Sequence, residues 1–319
     1  YRRIKRILDL LPAGVPVLAC TATANDRVVA DVAAQLGDGI DVYRGPLARD
    51  GLALQVIALD APAARLAWLA GTIPTLAGSG IVYCLTVRDT ATVTDWLTAN
   101  GIAAMAYSGE SADRPLVEQA LLDNTVKVVV ATSALGMGFD KPDLSFVVHF
   151  QAPGSAVHYY QQVGRAGRQL AQSHGVLLRG REDTQIQDWF IGNAFPTADD
   201  AAQVVEALDG HDGFVRVNQV EGHVNIGRTR LLNILKNLEV DRFVVADGQK
   251  FQRTAIPYAY DHERVDAITA VRRAEQAQMA EYAALAQGCR MAYLGAALDD
   301  PHVVACGMCD LCTTPPLPV

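Results

Sequence analysis

The sequence of 319 residues has no long apolar run and no excess of basic residues. Half of its residues are apolar, yet no run approaches the roughly 20 residues of a membrane-spanning helix, which excludes such a helix here. The net charge of −8 argues weakly against a nucleic-acid partner, because local clusters rather than the sum set such a footprint. The apolar half is large enough for more than one core, so we expect several domains.

Cysteine is also scarce, with six residues in the chain. Cys20 and Cys84 stand alone in apolar stretches, where a cysteine is usually a small core residue, and we assign them no role. The other four crowd near the C-terminus: Cys289, Cys306, Cys309 and Cys312. This distribution is not that of a secreted disulfide framework. It favours a reducing cytoplasm.

One segment organises the chain, His-Tyr-Tyr-Gln-Gln-Val-Gly-Arg-Ala-Gly-Arg at residues 158–168. Its arginines, Arg165 and Arg168, share a face if the segment is a helical turn. An arginine side chain is a rigid, always charged fork of donors that suits phosphate oxygens. Two such forks can stabilise the charge that develops on a transferring γ-phosphate. The plainer alternative is a solvated basic turn.

The segment resembles motif VI of superfamily 2 helicases, most closely that of the RecQ branch. The resemblance implies that Arg165 and Arg168 contact ATP as arginine fingers and that Gln162 acts beside them in catalysis. The chain departs from the family at Gln162, where most RecQ proteins carry Glu. The departure leaves the arginine roles intact but changes the hydrogen bonds around them.

Residues 45–195 predict a complete second RecA-like lobe of α/β class. Strand-like and helix-like runs alternate from Leu54 to Phe150, which is typical of a parallel sheet covered by helices. The run 127–131 is almost wholly apolar, as expected for a central parallel strand. Functional side chains of such sheets lie at the carboxyl ends of the strands.

Two further motifs fall at predicted strand ends. Residues 83–86 with Arg88 resemble motif IV, and residues 131–142, Ala-Thr-Ser-Ala-Leu-Gly-Met-Gly-Phe-Asp-Lys-Pro, resemble motif V. The resemblance implies DNA contacts through Thr86, Arg88 and Thr132, and a nucleotide side formed by Gly138 and Asp140. Ser108 replaces the usual histidine of a further family segment. Motifs IV to VI in order are a far more specific signal than any one of them.

Residues 1–44 predict the C-terminal remnant of a first RecA-like lobe: a helix over 1–12, a strand over 15–19 and a helix ending near Leu36. Thr-Ala-Thr-Ala at 21–24 resembles motif III, which implies that Thr21 and Thr23 couple hydrolysis to lobe movement. Either hydroxyl can equally cap a helix. No G-x-x-x-x-G-K-[ST] motif is present, so we expect ATP and Mg²⁺ to be held by upstream residues of an intact enzyme and this fragment to be inactive alone.

Residues 196–256 predict a winged-helix domain, from the order helix, strand, helix, helix and hairpin. Arg228–Glu239 is the candidate recognition helix, with Arg228, Arg230 and Lys236 as DNA contacts. Asp247-Gly248 is a strong two-residue hairpin signal. The alternative is a packing module that touches no DNA, since a fold alone does not fix function. A winged helix that precedes the zinc module is unusual among RecQ proteins and indicates a divergent branch.

Residues 257–319 predict a helical zinc-binding domain. A long amphipathic helix over 261–288 leads to Cys289, and Cys306, Cys309 and Cys312 follow with C-x2-C spacings. Four thiolates close a tetrahedral zinc site, which is then structural rather than catalytic. The same residues match the RecQ zinc module. His302 is a competing ligand, and reduced free thiols are the alternative reading.

Together these features predict the C-terminal part of an ATP-dependent 3′–5′ DNA helicase of RecQ type, a family that acts in DNA repair and recombination. The expected partners are single-stranded DNA and tailed duplex DNA, which for a bacterial protein implies an association with the nucleoid. Two rivals stay open: an RNA helicase, which shares motifs III to VI, and a non-enzymatic winged-helix and zinc module that binds DNA or protein.

Overall fold

The computed structural model describes residues 10–12, 15–21, 23, 25–36, 40–136 and 138–318. The chain divides into two compact units, residues 1–186 with 275–319, and residues 187–274. The predicted domain limits at 44/45, 195/196 and 256/257 stay predictions. None of the helices in the described part of the chain is long and apolar enough to cross a membrane.

The first unit is built on a six-stranded sheet in the order β1-β6-β5-β2-β4-β3, with every strand pair parallel. The strands are β1 (Leu52–Ala58), β2 (Ser79–Tyr83), β3 (Ala104–Tyr107), β4 (Val128–Ala131), β5 (Leu144–His149) and β6 (Ser173–Arg179). This architecture confirms the predicted parallel-sheet lobe. The carboxyl ends of the strands meet at one edge of the sheet, where the segments that resemble motifs IV and V begin.

Helices α2 (Pro62–Thr72), α3 (Val87–Ala99), α4 (Arg114–Leu122) and α5 (Ala156–Val163) cover the two faces of this sheet. The chain also forms α1 (Asp26–Leu36) and α6 (Asp183–Gly192). A 3₁₀ turn, Ile73–Thr75, follows α2. Helix α1 begins after Asn25, whose side chain accepts the backbone N–H of Val28 at 3.0 Å and so caps the helix.

The two faces of the sheet carry separate apolar clusters because strand side chains alternate. Val128 and Val130 of β4 pack with α2 and α3, while Val129 packs with α4 and α5. The second face also receives Tyr282 and Leu294 from the C-terminal part of the chain. The helix α5, which carries motif VI, therefore lies in the same core as the cysteine-rich segment.

Of the two elements predicted before residue 20, one lies mostly outside the described residues and the other is absent from the described ones. Residues 1–9, 13 and 14, which carry most of the predicted first helix, lie outside the described residues. The predicted strand over 15–19 is wrong: these residues pair with no described strand, and Val15, Val17 and Leu18 are exposed. Apolar composition alone does not make a strand without neighbours to accept its hydrogen bonds.

The second unit contains α7 (Ala198–Asp209), β7 (Val215–Arg216), α8 (Val217–Glu221), α9 (Arg228–Val240), β8 (Val244–Asp247) and β9 (Lys250–Arg253). The three strands pair antiparallel in the order β7-β9-β8. This order of elements is the predicted one and is typical of a winged helix. The hairpin differs by one residue: Asp247 pairs with Lys250, so Gly248 and Gln249 form the turn, and Gly248 takes the positive φ of +62°.

The C-terminal segment consists of a long helix, α10 (His262–Ala284), and a short one, α11 (Arg290–Ala297), followed by loops that carry three of the four cysteines. The division between the two units falls within α10. The predicted helix over 261–288 is thus confirmed except for its last turn. Gly288, with a φ of +94°, separates α10 from Cys289.

Candidate nucleotide and nucleic-acid site

The motif VI segment is a helix followed by a turn. Helix α5 begins at its cap Ser155, whose side chain accepts the His158 backbone N–H at 3.2 Å, and it ends at Val163. Residues 164–168, here called the arginine turn, continue beyond the helix. The assumption that Arg165 and Arg168 share a helical face is therefore wrong, because Gly167 leaves helical geometry with a φ of +70°.

The two arginines nevertheless reach the same neighbour, the motif V loop. An Nη1 of Arg165 donates to the backbone oxygen of Phe139 at 2.9 Å, and Nη1 of Arg168 lies 2.5 Å from Oδ1 of Asp140. The Arg168–Asp140 pair is open to solvent, with 41% and 60% of the side chains exposed. The structure thus brings together Arg165, Arg168 and Asp140, three of the four residues predicted on the nucleotide side. The fourth, Gly138, is exposed in the same loop and has a φ of +96°.

A buried tyrosine supports the loop from beneath. The Tyr83 hydroxyl donates to the Leu135 backbone oxygen at 2.9 Å. Burial raises the pKa of Tyr83 to about 12 although nearby Arg165 opposes the rise. The phenol therefore stays protonated and keeps its hydrogen bond at neutral pH.

Gln162 points toward the interior rather than the open side of the turn. Its Oε1 lies 2.7 Å from Nε2 of His149, which is 1% exposed and stacks on Tyr83. Burial lowers the pKa of His149 to about 4, only partly offset by the Gln162 hydrogen bond. The ring is therefore neutral at pH 7 and donates from Nε2 to the amide oxygen. This contact gives Gln162 a supporting position; its predicted part in catalysis stays a prediction.

The motif III threonines lie at different depths. Thr21 is exposed, whereas Thr23 is 4% exposed and its hydroxyl accepts a hydrogen bond from the side-chain amide of Gln161 in α5. Thr23 is thus joined to motif VI by a direct contact. Residues 22 and 24 of the same motif lie outside the described residues.

The predicted DNA contacts of the first unit follow strand ends. Thr86 caps α3: its hydroxyl oxygen accepts the Asp89 backbone N–H at 3.0 Å. The hydroxyl is therefore already hydrogen-bonded within the protein. Arg88 is exposed in the first turn of α3. Thr132 follows β4 directly and accepts from the backbone N–H of Ala134 at 3.3 Å. The three residues follow β2 and β4, which are neighbours in the sheet.

The four cysteines converge as the spacing predicts. Their sulfur atoms all lie within 4.8 Å of one another, with 3.5 Å between Cys289 and Cys306 and between Cys309 and Cys312. Sulfurs bound to one tetrahedral zinc at about 2.3 Å lie roughly 3.8 Å apart, so this cluster fits the ion. His302 is not part of the group among the described residues.

Backbone N–H groups point at two sulfurs of this cysteine cluster. The Sγ of Cys289 accepts N–H groups of Cys306 at 3.2 Å and Ala292 at 3.4 Å, and the Sγ of Cys309 accepts that of Arg290 at 3.4 Å. Burial alone would raise the pKa of Cys289, but hydrogen bonds that include the Cys306 and Ala292 N–H groups bring it to about 7. Burial raises the pKa of Cys306 to about 12 and also raises that of Cys312, so zinc would displace protons from these two sulfurs. Anionic sulfur is the form that zinc binds.

A buried ion pair that sequence reasoning missed attaches the cluster to the sheet. Arg290, 3% exposed, donates from Nε to Oδ1 of Asp310, while Oδ2 accepts the backbone N–H of Val56 at 3.0 Å. The Asp310 backbone N–H donates to the oxygen of Leu54 at 3.0 Å. Asp310 therefore pairs with the edge strand β1, and its place between two cysteines was the one available signal.

In the second unit, the three predicted cations on α9 have different surroundings. Arg228 lies 2.8 Å from Glu221 and lines a cleft of about 430 Å³. Arg230 is paired with Asp200 of α7 at 2.5 Å, and Lys236 is exposed. The residues that line this hairpin cleft are Arg216, Val217, Asn218, Arg228, Asp247, Gln249 and Lys250. Arg216 and Lys250 are further cations that the sequence did not single out.

Comparisons with known proteins fit this geometry. The family of the helicase conserved C-terminal domain matches residues 72–169. "Probable ATP-dependent DNA helicase RecS" of Bacillus subtilis is 34% identical over 198 residues, covering 61% of this chain and 40% of the relative. The RecQ-like DNA helicase BLM of Xenopus laevis is 37% identical over 194 residues, covering 57% of this chain and 14% of the relative. The chain thus spans less than half the length of these relatives.

Two other comparisons concern RNA. A relative from Acanthamoeba polyphaga mimivirus, named as an ATP-dependent RNA helicase, is 33% identical over 195 residues, covering 60% of this chain and 35% of the relative. The structure of Saccharomyces cerevisiae Dbp5 bound to RNA and ADP BeF3 has a TM-score of 0.52 at 18% identity, covering 59% of this chain and 52% of that one. The structural match establishes that the parallel-sheet lobe has the same fold.

Proposed function

Since this chain carries the C-terminal portion of a RecQ-like superfamily 2 helicase, we propose that the protein is an ATP-dependent DNA helicase that moves 3′ to 5′ along one strand. Polarity, DNA specificity and the roles of single residues belong to the proposal. The observation that carries it is the convergence of Arg165 and Arg168 on the motif V loop.

Arg165 and Arg168 stabilise the charge that develops on the γ-phosphate of ATP. ATP, bound with Mg²⁺, would supply the phosphoryl group, and Gly138 and Asp140 would lie on the nucleotide side of the lobe. The exposed Arg168–Asp140 pair suits this task, because an ion pair open to water contributes only about 0–1 kcal/mol. Arg168 can therefore exchange Asp140 for a phosphate at little cost. Thr23, which is hydrogen-bonded to Gln161, couples ATP hydrolysis to the movement of the lobes.

DNA is bound by two surfaces. Thr86, Arg88 and Thr132 lie after neighbouring strands and contact phosphates of a single strand. The winged helix contributes Arg228, Arg230 and Lys236, and the hairpin cleft adds Arg216 and Lys250. Arg230 is the weakest of these candidates because Asp200 already holds it. Contacts of this kind are tolerant of sequence and weaken with salt.

Zinc has a structural part. Cys289, Cys306, Cys309 and Cys312 complete the four-coordinate shell, which leaves no position for a catalytic water. When bound, the ion would only cross-link the chain segments that carry the four cysteines. The Arg290–Asp310 pair carries that constraint to strand β1.

The decisive experiment measures ATP hydrolysis by the full-length protein with and without single-stranded DNA, beside Arg168→Ala. We expect DNA-stimulated turnover that falls by on the order of a thousandfold in the variant. The control is Arg181→Ala, whose exposed arginine pairs with Asp60 away from the arginine turn. A parent without turnover overturns the proposal and favours a non-enzymatic winged-helix and zinc module. Turnover by the 319-residue chain alone would contradict its expected inactivity.

An RNA helicase is the second candidate, favoured by the mimiviral relative. Motifs IV to VI alone do not separate the two substrates. Competition binding with matched tailed duplexes of DNA and RNA does: preference for the DNA duplex supports the proposal, and preference for RNA overturns its substrate.

A further inference from the structure

The connector at residues 44–51, which precedes strand β1, is held by hydrogen bonds to two other segments. The backbone oxygen of Leu47 accepts the hydroxyl of Tyr160 in α5. The Leu47 N–H donates to Oδ2 of Asp300, in the loop after α11, at 2.8 Å. The connector is thereby fixed beside the helix that carries motif VI.

Arg49 of this connector reaches the arginine turn itself. Its Nη1 donates to the backbone oxygen of Gly164 at 2.7 Å, and its Nη2 to that of Ala166 at 3.4 Å. These two carbonyls lie immediately before and after Arg165. The guanidinium therefore bridges the peptide unit before Arg165 and the peptide unit after Ala166.

The two carbonyls that Arg49 binds lie just past the end of α5, whose own last-turn carbonyls already accept backbone N–H groups. The C-terminal end of a helix carries partial negative charge, so a cation placed beside it is favourable. Helix α5 has no basic residue in its own last turn. Arg49, far away in sequence and half-buried, supplies the cation instead.

We propose that Arg49 is a positioning residue for the two arginine fingers: it locks the carbonyls of Gly164 and Ala166 and so sets the direction of Arg165 and Arg168. The proposal rests on the proposed function. Other contacts of the turn, such as the Gly167 N–H to the Leu144 oxygen at 2.8 Å, hold its far end. Without Arg49, the peptide units around Arg165 lose their charged donor and rotate more freely.

Arg44 provides a matched control on the same connector. It donates to the backbone oxygen of Asp299 at 3.1 Å and pairs with Asp26 at 2.7 Å, so its contacts avoid the arginine turn. Loss of either arginine removes one half-buried cation from the connector. A purely structural effect would appear in both variants.

Steady-state ATP hydrolysis of the full-length protein provides the first test. Misplacement of catalytic groups by about 1 Å can cost on the order of a hundredfold, so Arg49→Gln should lower kcat by about 10- to 100-fold while KM for ATP and DNA affinity stay within about twofold. Arg44→Gln should leave kcat within about twofold. Arg49→Lys should recover part of the loss, since lysine keeps the charge without the fork. An unchanged kcat in Arg49→Gln overturns the inference.

Hydrogen exchange on the 319-residue chain gives a second readout that needs no turnover. In Arg49→Gln, the amides of residues 165–167 should exchange at least about fivefold faster, and in Arg44→Gln they should not. Unchanged exchange rates of these amides in Arg49→Gln would contradict the positioning role of Arg49. If the parent enzyme lacks DNA-stimulated hydrolysis, the proposed function and this inference fall together; a normal parent with an unaffected Arg49→Gln overturns the inference alone.

Discussion

The cysteine cluster and the arginine turn are built in opposite ways. At the cluster, four sulfurs lie within 4.8 Å of one another, and backbone N–H groups point at Cys289 and Cys309. The Arg290–Asp310 pair beside it is buried, with 4% and 7% of the side chains exposed. At the arginine turn, Arg168 and Asp140 are largely open to water.

The difference indicates two uses of charge. Buried charges are costly to separate, because each is left without solvent or partner, so the cluster suits a fixed link. Exposed pairs exchange partners at little cost, so the turn suits a group that must meet and release a ligand. Substitutions in the first region should therefore affect folding, and substitutions in the second should affect turnover.

The largest expected effect on stability is at the cluster. Cys309→Ser should remove bound zinc and lower the free energy of unfolding by several kcal/mol, since a complete structural zinc site contributes on the order of 10 kcal/mol. The control is Cys20→Ser, at an exposed cysteine outside the cluster. It should leave the zinc content and the free energy of unfolding unchanged. Zinc content and the melting temperature check this. Equal melting temperatures for Cys309→Ser and the parent would mean that the cluster does not link the fold.

A smaller effect concerns His149, beneath the arginine turn. Its pKa in the folded chain is lowered to about 4, mainly by burial, against an unfolded value near 6.5. Stability from this group is complete above about pH 6.5 and is lost as pH falls toward 4, because the unfolded chain takes up the proton first. Between pH 7 and pH 5, the contribution of His149 to the free energy of unfolding should fall by about 2 kcal/mol.

Gln162→Glu tests whether that loss comes from His149. A carboxylate 2.7 Å from Nε2 would stabilise the imidazolium, raise its pKa and reduce the loss between pH 7 and pH 5. Urea unfolding at both pH values measures the difference, and zinc release affects parent and variant alike. The same pH dependence in both would show that another group titrates.

Sequence patterns predicted the local elements of this chain better than its long-range contacts. Alternation of strand-like and helix-like runs located most elements from α2 to β5, and C-x2-C spacing predicted the cluster. The strand Ser173–Arg179 was missed because it begins with Ser-His-Gly, although Ser173 is fully buried. The strand over 15–19 was predicted wrongly from apolar composition alone.

The residues that support the site were harder to find. Asp310 meets β1 across 254 positions, and Arg49 meets Gly164 across 115. No periodicity or spacing links residues so distant. The directions of Arg165 and Arg168 likewise depend on Gly167, whose positive φ is a property of the folded turn. Motifs thus predicted which residue types matter, while their mutual positions required the structure.

The smallest expected effect separates two carboxylates only three positions apart. Asp140→Asn removes the exposed partner of Arg168 and should change the free energy of unfolding by less than about 0.5 kcal/mol. Asp143→Asn should cost about 1–3 kcal/mol, because it removes the partner, 2.7 Å away, of Lys141, whose side chain is 1% exposed. The Lys141 hydrogen bond lowers the pKa of Asp143, which agrees with a stabilising contact. Urea unfolding of both variants at pH 7 makes the comparison. An equal loss in Asp140→Asn would mean that the arginine turn is held as firmly as a pair with one buried partner.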